Sequence, residues 1–299
     1  VARKFPLLKG LGILSVLIMV FFVAVFFYAY FTGGDLEVLS MVGGSHIGVL
    51  QIEGTIESSR EMVQNLKQFG ENKGIKAVVL RIDSPGGAVA PTQEIYDEIG
   101  KLKKKKPVIA SLGATAASGG YYIAAACDQV VANPGTLTGS IGVIMELGNV
   151  EELMKKLGLK GYSIKSGPNK DIGSPLRPLS PEGKAILQSL VDNVHAQFVS
   201  AVAKGRKMPE EKVRGLADGR VYSGEQAKNL GLVDVLGTME DAVDLAAKRA
   251  GIEGTPEIIY ARHEEKSWWE RLFFSYFGKG FKQGERWGLR YEWSPSFIP

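Results

Sequence analysis

Pro107-Val108-Ile109-Ala110-Ser111-Leu112 runs directly into Gly113-Ala114-Thr115-Ala116-Ala117-Ser118-Gly119-Gly120-Tyr121-Tyr122, and this stretch sets the reading of the chain. Its first six residues are an apolar, strand-like run; the alanine-rich run from Tyr121 to Cys127 follows as a helix. Ser118, with two glycines after it, therefore stands at a strand-to-helix junction. Free N–H groups gather at a helix N-terminus, and the helix dipole favours negative charge there. A serine so placed has two readings. It is an N-cap whose oxygen accepts a backbone N–H, or a nucleophile whose neighbours stabilise an oxyanion. The local sequence leaves both open.

The flanking chain supplies a fold. Ile47 to Ile52 reads as a strand, followed by an amphipathic helix from about Ser58 to Phe69. Ile75 to Ile82 has a continuous apolar centre, Ala77-Val78-Val79-Leu80, the mark of a strand buried on both faces. It enters Asp83-Ser84-Pro85-Gly86-Gly87 and then a helix from about Pro91 to Lys103. After the quoted stretch come a strand at Gln129 to Ala132, a loop at Thr138 to Ser140 entering another strand, a helix at Val150 to Leu157 and a strand at Tyr162 to Lys165. Ser180-Pro181 opens a long helix to about Gly205, with shorter helices at Ser223 to Asn229 and Thr238 to Ala250. Pro256 to Tyr260 reads as an edge strand. Such βα alternation implies an α/β fold with a largely parallel sheet and right-handed crossovers.

Composition excludes several function classes. The 299 residues carry a net charge of only +4, and no basic stripe is interleaved with aromatics, so a nucleic-acid partner is not expected. Lys101 and Lys103 to Lys106 end a helix on a solvated face. A single cysteine, Cys127, rules out an internal disulfide framework, and three scattered histidines (His46, His195, His263) show no metal-ligand spacing. No metal or other cofactor is expected.

Leu11 to Phe31 is an apolar run long enough to span a bilayer. Arg3, Lys4 and Lys9 precede it, and Asp35 and Glu37 follow, which predicts a cytoplasmic N-terminus and everything after Phe31 outside. No clean small-x-small site ends the run, so an uncleaved anchor is expected and not a signal peptide. Residues 1–31 are then the tip and anchor, 32–45 a linker, 46–251 the main domain and 252–299 a tail. Trp268 to Phe277 within that tail reads as an amphipathic aromatic helix.

Ligand sites in parallel α/β sheets lie beyond the carboxyl ends of the strands. Three loops there are rich in small residues: Asp83 to Gly87, Gly113 to Gly120 and Thr138 to Ser140. The amides of Gly87 and Gly119 are a reasonable pair of oxyanion donors for Ser118, although Ser84 to Gly87 also reads as an ordinary tight turn. Ala116 stands where a nucleophile elbow would have its first glycine. With poor histidine candidates, a lysine becomes the base to look for. Lys165 and Lys170 lie in one loop, and composition does not choose between them.

In order and at similar spacing, Asp83-Ser84-Pro85-Gly86-Gly87, Ala116 to Ile123, Thr138 to Val143, Lys165-Ser166-Gly167, Lys170-Asp171 and Asp218 to Tyr222 resemble the signal peptide peptidase A family, in its short bacterial form. The resemblance covers about Ile47 to Ala250. It implies a crotonase-like, Clp-protease-like fold of repeated ββα units and a membrane-anchored serine endopeptidase with a Ser/Lys dyad. Carried over, Ser118 is the nucleophile, Lys170 the base, Ser140 the residue that orients the lysine, and Gly87 and Gly119 the oxyanion donors. The implied substrates are remnant signal peptides with apolar, small side chains, and the implied assembly is a ring- or dome-shaped homo-oligomer, an octamer in short forms. Self-trimming of the tail occurs in some members, but the aromatic tail from about Trp268 does not match the family pattern. A stomatin-cleaving membrane protease and a crotonase-type acyl-CoA hydratase or isomerase are the alternatives on the same fold.

Overall fold

A computed structural model of the chain describes residues 17–24, 44–261 and 290–292. The chain divides into two compact units, residues 1–44 with 72–74 and residues 45–71 with 75–299. In the first, residues 17–24 are helical and exposed. Among the described residues no helix is long and apolar enough to cross a membrane. The rest of the expected span and the aromatic segment Trp268 to Phe277 lie outside the described residues.

The second unit is built on a mixed sheet. Its strands are β1 (His46–Glu53), β2 (Ile75–Ser84), β4 (Val108–Ala117), β5 (Gln129–Ala132), β6 (Leu137–Gly139), β7 (Val221–Ser223), β8 (Val235–Leu236) and β9 (Glu257–Tyr260). They lie in the order β7-β6-β4-β2-β1-β9, with β5 also on β4 and β8 on β5. Every pairing is parallel except β6 with β7. The helices are α1 (Arg60–Glu71), α2 (Val89–Leu102), α3 (Gly119–Ala126), α4 (Glu151–Lys156), α5 (Pro181–Arg206), α6 (Glu210–Leu216), α7 (Gly224–Leu230) and α8 (Met239–Ala250). β3 (Gly86–Ala88) and β10 (Arg290–Glu292) form a separate antiparallel pair.

The sheet is covered on both faces, as the apolar centre of β2 requires. Ala77 and Val79 join Ile47, Val49 and Ile109 beneath Ala242, Val243, Ala246 and Ala247 of α8. Val78, Leu80 and Ile82 are equally buried and, by strand alternation, point to the opposite face, where α3 packs on β2 and β4. At α5, Ser180 caps the helix by accepting from Gly183 N at 3.0 Å, and Pro181 occupies the first turn.

Two expectations need correction. Gly113 to Ala117 reads as loop in the sequence, yet β4 continues through it. β4 exchanges its ladder partner there: Ile109 to Leu112 pair with β5, Thr115 to Ala117 with β6. Against β2 the register jumps from Ile82↔Leu112 to Ser84↔Ala116, so β4 bulges. The Asp83 carboxylate satisfies the bulge by accepting from Thr115 N at 3.0 Å and Ala114 N at 3.4 Å. Conversely, Tyr162 to Lys165 forms no strand and is exposed; its β-forming residues find no sheet edge to pair with.

The helix carrying residues 119–120 leans closely on α5. A Cβ on Gly205 would sit 2.0 Å from the carbonyl oxygen of Ala125. Because the obstacle is backbone, no rotamer relieves it, and the clash outweighs the gain of about 1 kcal/mol in helix propensity. Gly205→Ala is therefore expected to destabilise by about 1–3 kcal/mol, read from the midpoint of urea unfolding.

Candidate active site

β4 ends at Ala117 and α3 begins at Gly119, so Ser118 is the whole turn between them. Its φ of 53° and ψ of −116° lie in a region that L-residues avoid, and its side chain makes no capping hydrogen bond. The N-cap reading therefore fails. Holding a non-glycine residue there costs about 1–3 kcal/mol, and such strain persists where surrounding structure imposes it. Here the backbone is pinned on both sides: Ser118 N donates to Gly139 O at 2.8 Å, and Tyr122 N donates to Ser118 O at 2.8 Å. Ser118 is 1% exposed.

The same bond ties the turn to Ser140, which also has a positive φ, of 50°. Ser140 N donates to Arg220 O at 2.8 Å, and β7 pairs Tyr222 with Thr138. The Asp218 to Tyr222 segment thus shapes the Ser140 turn beside Ser118.

β3 supplies the third wall. Gly86 has φ of +105°, a conformation open to glycine, and the buried Ser84 hydroxyl braces it by donating to Gly54 O at 2.6 Å and accepting from Gly86 N at 3.1 Å. Ile56 N donates to Gly86 O and Ala88 N to Ile56 O, both at 2.8 Å. By alternation the N–H of Gly87 points the other way, where Tyr291 pairs with it. The Tyr291 carbonyl oxygen lies 1.9 Å from where a Gly86 Cβ would be and 3.1 Å from where a Gly119 Cβ would be. The structure thus gathers Gly87, Gly119, Ser118 and Ser140, and a carbonyl sits among the glycines.

β10 is the feature that sequence reading missed. It runs antiparallel to β3 on one side, and on the other exchanges two hydrogen bonds with Ile144, at 3.1 and 3.2 Å. Leu289, Tyr291 and Trp293 alternate with Arg290 and Glu292, a period-2 signal for a strand, though three residues give it little weight. The chain after Ser140, expected to form a strand, pairs through Ile144 alone with this segment.

Lys170 lies in the loop after α4. It is exposed, and its backbone N donates to Gly167 O at 3.2 Å within a turn. Lys165 is engaged: Nζ lies 2.6 Å from Asp171 Oδ1 and donates to Pro168 O at 3.2 Å. Asp171 also accepts from Arg177 Nε at 3.0 Å and a terminal guanidinium nitrogen at 2.7 Å. Arg177 first, then Lys165, holds the Asp171 carboxyl down to about 2, so the pairing persists until strongly acidic pH.

Comparison with known proteins now bears on this geometry. The Peptidase family S49 profile matches residues 100–253, and a Clp protease profile matches residues 38–136. A Synechocystis protein named as a protease is 49% identical over 208 residues, 69% of this chain and 75% of that one. The chain belongs to Peptidase family S49. A chloroplastic Arabidopsis thaliana protein named serine protease SPPA is 34% identical, over 74% of this chain and 33% of its own length. An Enterococcus faecium protein named as a signal peptide peptidase SppA is 42% identical, over 67% of this chain and 59% of its own. This S49 chain is a serine peptidase with an α/β fold, and the acyl-CoA hydratase alternative falls away. The nearest carboxylate of the Asp83 to Gly87 loop is in any case occupied by backbone N–H groups.

Strain at Ser118 can be measured in this S49 peptidase. Ser118→Ala retains the unfavourable φ, whereas Ser118→Gly relieves it. The glycine variant is expected to be the more stable of the two by about 1 kcal/mol in chemical denaturation, with both inactive. An alanine variant as stable as the glycine one would remove strain from the account.

Proposed function

We propose that the chain is a membrane-anchored endopeptidase that degrades released signal peptides, with Ser118 as nucleophile and Lys170 as base. The observation that carries the reading is the peptide strand already lying in the groove between β3 and Ile144, its Tyr291 carbonyl placed against Gly86 and Gly119. A substrate would bind in the same extended form, by adding a strand. Ser118 Oγ attacks the carbonyl carbon and its proton passes to the lysine amine. The resulting oxyanion accepts from the N–H groups of Gly87 and Gly119, each such donor being worth about 10²–10³ in kcat. Collapse breaks the C–N bond, the lysine returns the proton to the departing amine, and water then hydrolyses the acyl-enzyme.

In this reading Lys170 comes from a second copy of the chain. The reasons are that it is exposed and that its loop carries Leu157, Leu159, Tyr162 and Ile164 on the surface without a covering partner. A ring built from one repeated head-to-tail contact would cover that surface and complete each site in turn, with Ser140 orienting the incoming amine. Lys165, committed to Asp171, is the weaker candidate. The apolar run Leu11 to Phe31, with basic residues before it and acidic ones after, supports an anchor in the cell membrane with the catalytic unit outside.

Subunit mixing tests the shared site. Ser118→Ala and Lys170→Ala chains are each expected to be inactive on a released signal peptide. Unfolded and reassembled together in equal amounts, they should regain about a quarter of wild-type activity, as random neighbours across a heterologous contact dictate. No recovery from a mixture whose chains demonstrably co-assemble would place the lysine in the same chain as its serine. A lysine accepts a proton only as the free amine, so kcat/KM on an uncharged peptide is expected to climb with pH and level off on the alkaline side. A flat profile would exclude a lysine base.

A further inference from the structure

Between α4 and α5, residues 158–180 form turns but no helix or strand, and Lys170 lies exposed in their midst. A loop of that length has no ladder of backbone bonds to fix it. One side chain takes over that task. Asp171 is only 15% exposed, although Lys170 beside it is open to solvent.

Asp171 is the hub of the loop. Its Oδ1 accepts from Lys165 Nζ at 2.6 Å and from a terminal Arg177 nitrogen at 2.7 Å, and its Oδ2 accepts from Arg177 Nε at 3.0 Å. Its backbone carbonyl accepts from Arg177 again at 3.3 Å and from Ser174 N at 3.0 Å. Lys165 Nζ closes a second ring by donating to Pro168 O at 3.2 Å. The turns on either side of the lysine, Lys170 N to Gly167 O and Ile172 N to Asn169 O, both at 3.2 Å, lie within the span that these bonds tie together. The hub is fastened to both helices. Val150 N, just before α4, donates to Pro175 O at 2.8 Å, and a Cβ on Gly183 in the first turn of α5 would lie 3.1 Å from Ile172 Cγ1.

Ion pairs this close to solvent contribute little to global stability. A planar guanidinium that grips one carboxylate through two nitrogens instead fixes direction. Direction is what an amine on a long flexible stem needs, since misplacing a catalytic group by about 1 Å can cost about 10²-fold in rate.

We propose that Asp171, clamped by Arg177 and Lys165, is a positioning residue that holds the Lys170 backbone so that the amine is presented to the serine hydroxyl it serves. This rests on the reading of Lys170 as the base. It also gives Lys165 a separate task, because the second lysine of the loop is committed to the clamp. Every bond of the clamp lies within one chain, so the lysine is presented before any neighbour arrives.

Kinetics of the full chain on a released signal peptide decide it. Asp171→Asn keeps the shape and removes the charge that Arg177 and Lys165 hold. It is expected to lower kcat about 10–100-fold and to leave KM within about twofold, since the peptide groove is untouched. Arg177→Ala should do the same, and Arg177→Lys, which restores one charged donor, should recover part of the loss. An unchanged kcat in Asp171→Asn, or a loss that appears in KM instead, overturns the proposal.

A positioning residue acts only through what it positions. The double variant Lys170→Ala/Asp171→Asn is therefore expected to match Lys170→Ala alone, with or without added methylamine as a base that no loop carries. A further loss beyond about twofold would show that Asp171 acts elsewhere. Hydrogen exchange reads the clamp without turnover: Asp171→Asn should lower protection at Ile172 and Ser174 while β1 and β2 keep theirs, and unchanged protection at those two amides counts against the clamp. The two readings fail separately. Lys170→Ala inactive with Asp171→Asn at full rate removes the clamp and leaves the base, whereas Lys170→Ala at full rate overturns the base assignment and the clamp with it.

Discussion

The structure depends on one backbone turn. Ser118 has to pass from β4 into α3 within a single residue, at a φ that its side chain disfavours. Nothing in that residue pays for the conformation. It is imposed by the strand ladder before it, the first helical hydrogen bond after it, and the bond from its own N–H to Gly139 O. The result is a buried hydroxyl that caps no helix and stands beside the first free N–H groups of α3.

The other loops follow from the need to reach that turn. β4 exchanges β5 for β6 halfway along its length, and the bulge at Gly113 to Thr115 makes the exchange possible. Asp83 gives the N–H groups of Ala114 and Thr115 a partner where the bulge interrupts the ladder. The carboxylate in the Asp83 to Gly87 motif is therefore structural, while the glycines after it form the edge where a peptide strand can add. The antiparallel β6–β7 pair has a similar division of labour, with Arg220 O holding the Ser140 turn from outside the sheet.

Much of this was legible in the sequence because it is local or periodic. The fully apolar centre of β2 announced a strand covered on both faces, and the Ser180-Pro181 pair announced α5. Ser118, Gly87 and Gly119 could be named because small residues at strand ends are conspicuous. What stayed hidden depends on partners distant in the chain. Residues 113–117 look like a loop until β6 arrives to pair with them, and Tyr162 to Lys165 looks like a strand but meets no edge. Whether Ser118 caps its helix is a matter of one dihedral angle, which no composition encodes. β10 is three residues long, and its pairing with β3 joins positions about two hundred residues apart, a closure that entropy penalises only weakly with length.

The division between what one chain holds and what it lacks has a consequence for control. The described residues contain the serine, the amide donors and the groove, and the groove is filled by the chain's own strand. The lysine stands on the surface. If a neighbour supplies the base, as proposed, an isolated chain would be silent for two independent reasons, an absent proton acceptor and an occupied cleft. Assembly would then remove the first, and substrate the second by competing for the same β3 hydrogen bonds. A strand tethered to its own groove is present at high effective concentration, so a free peptide displaces it only by matching the groove well.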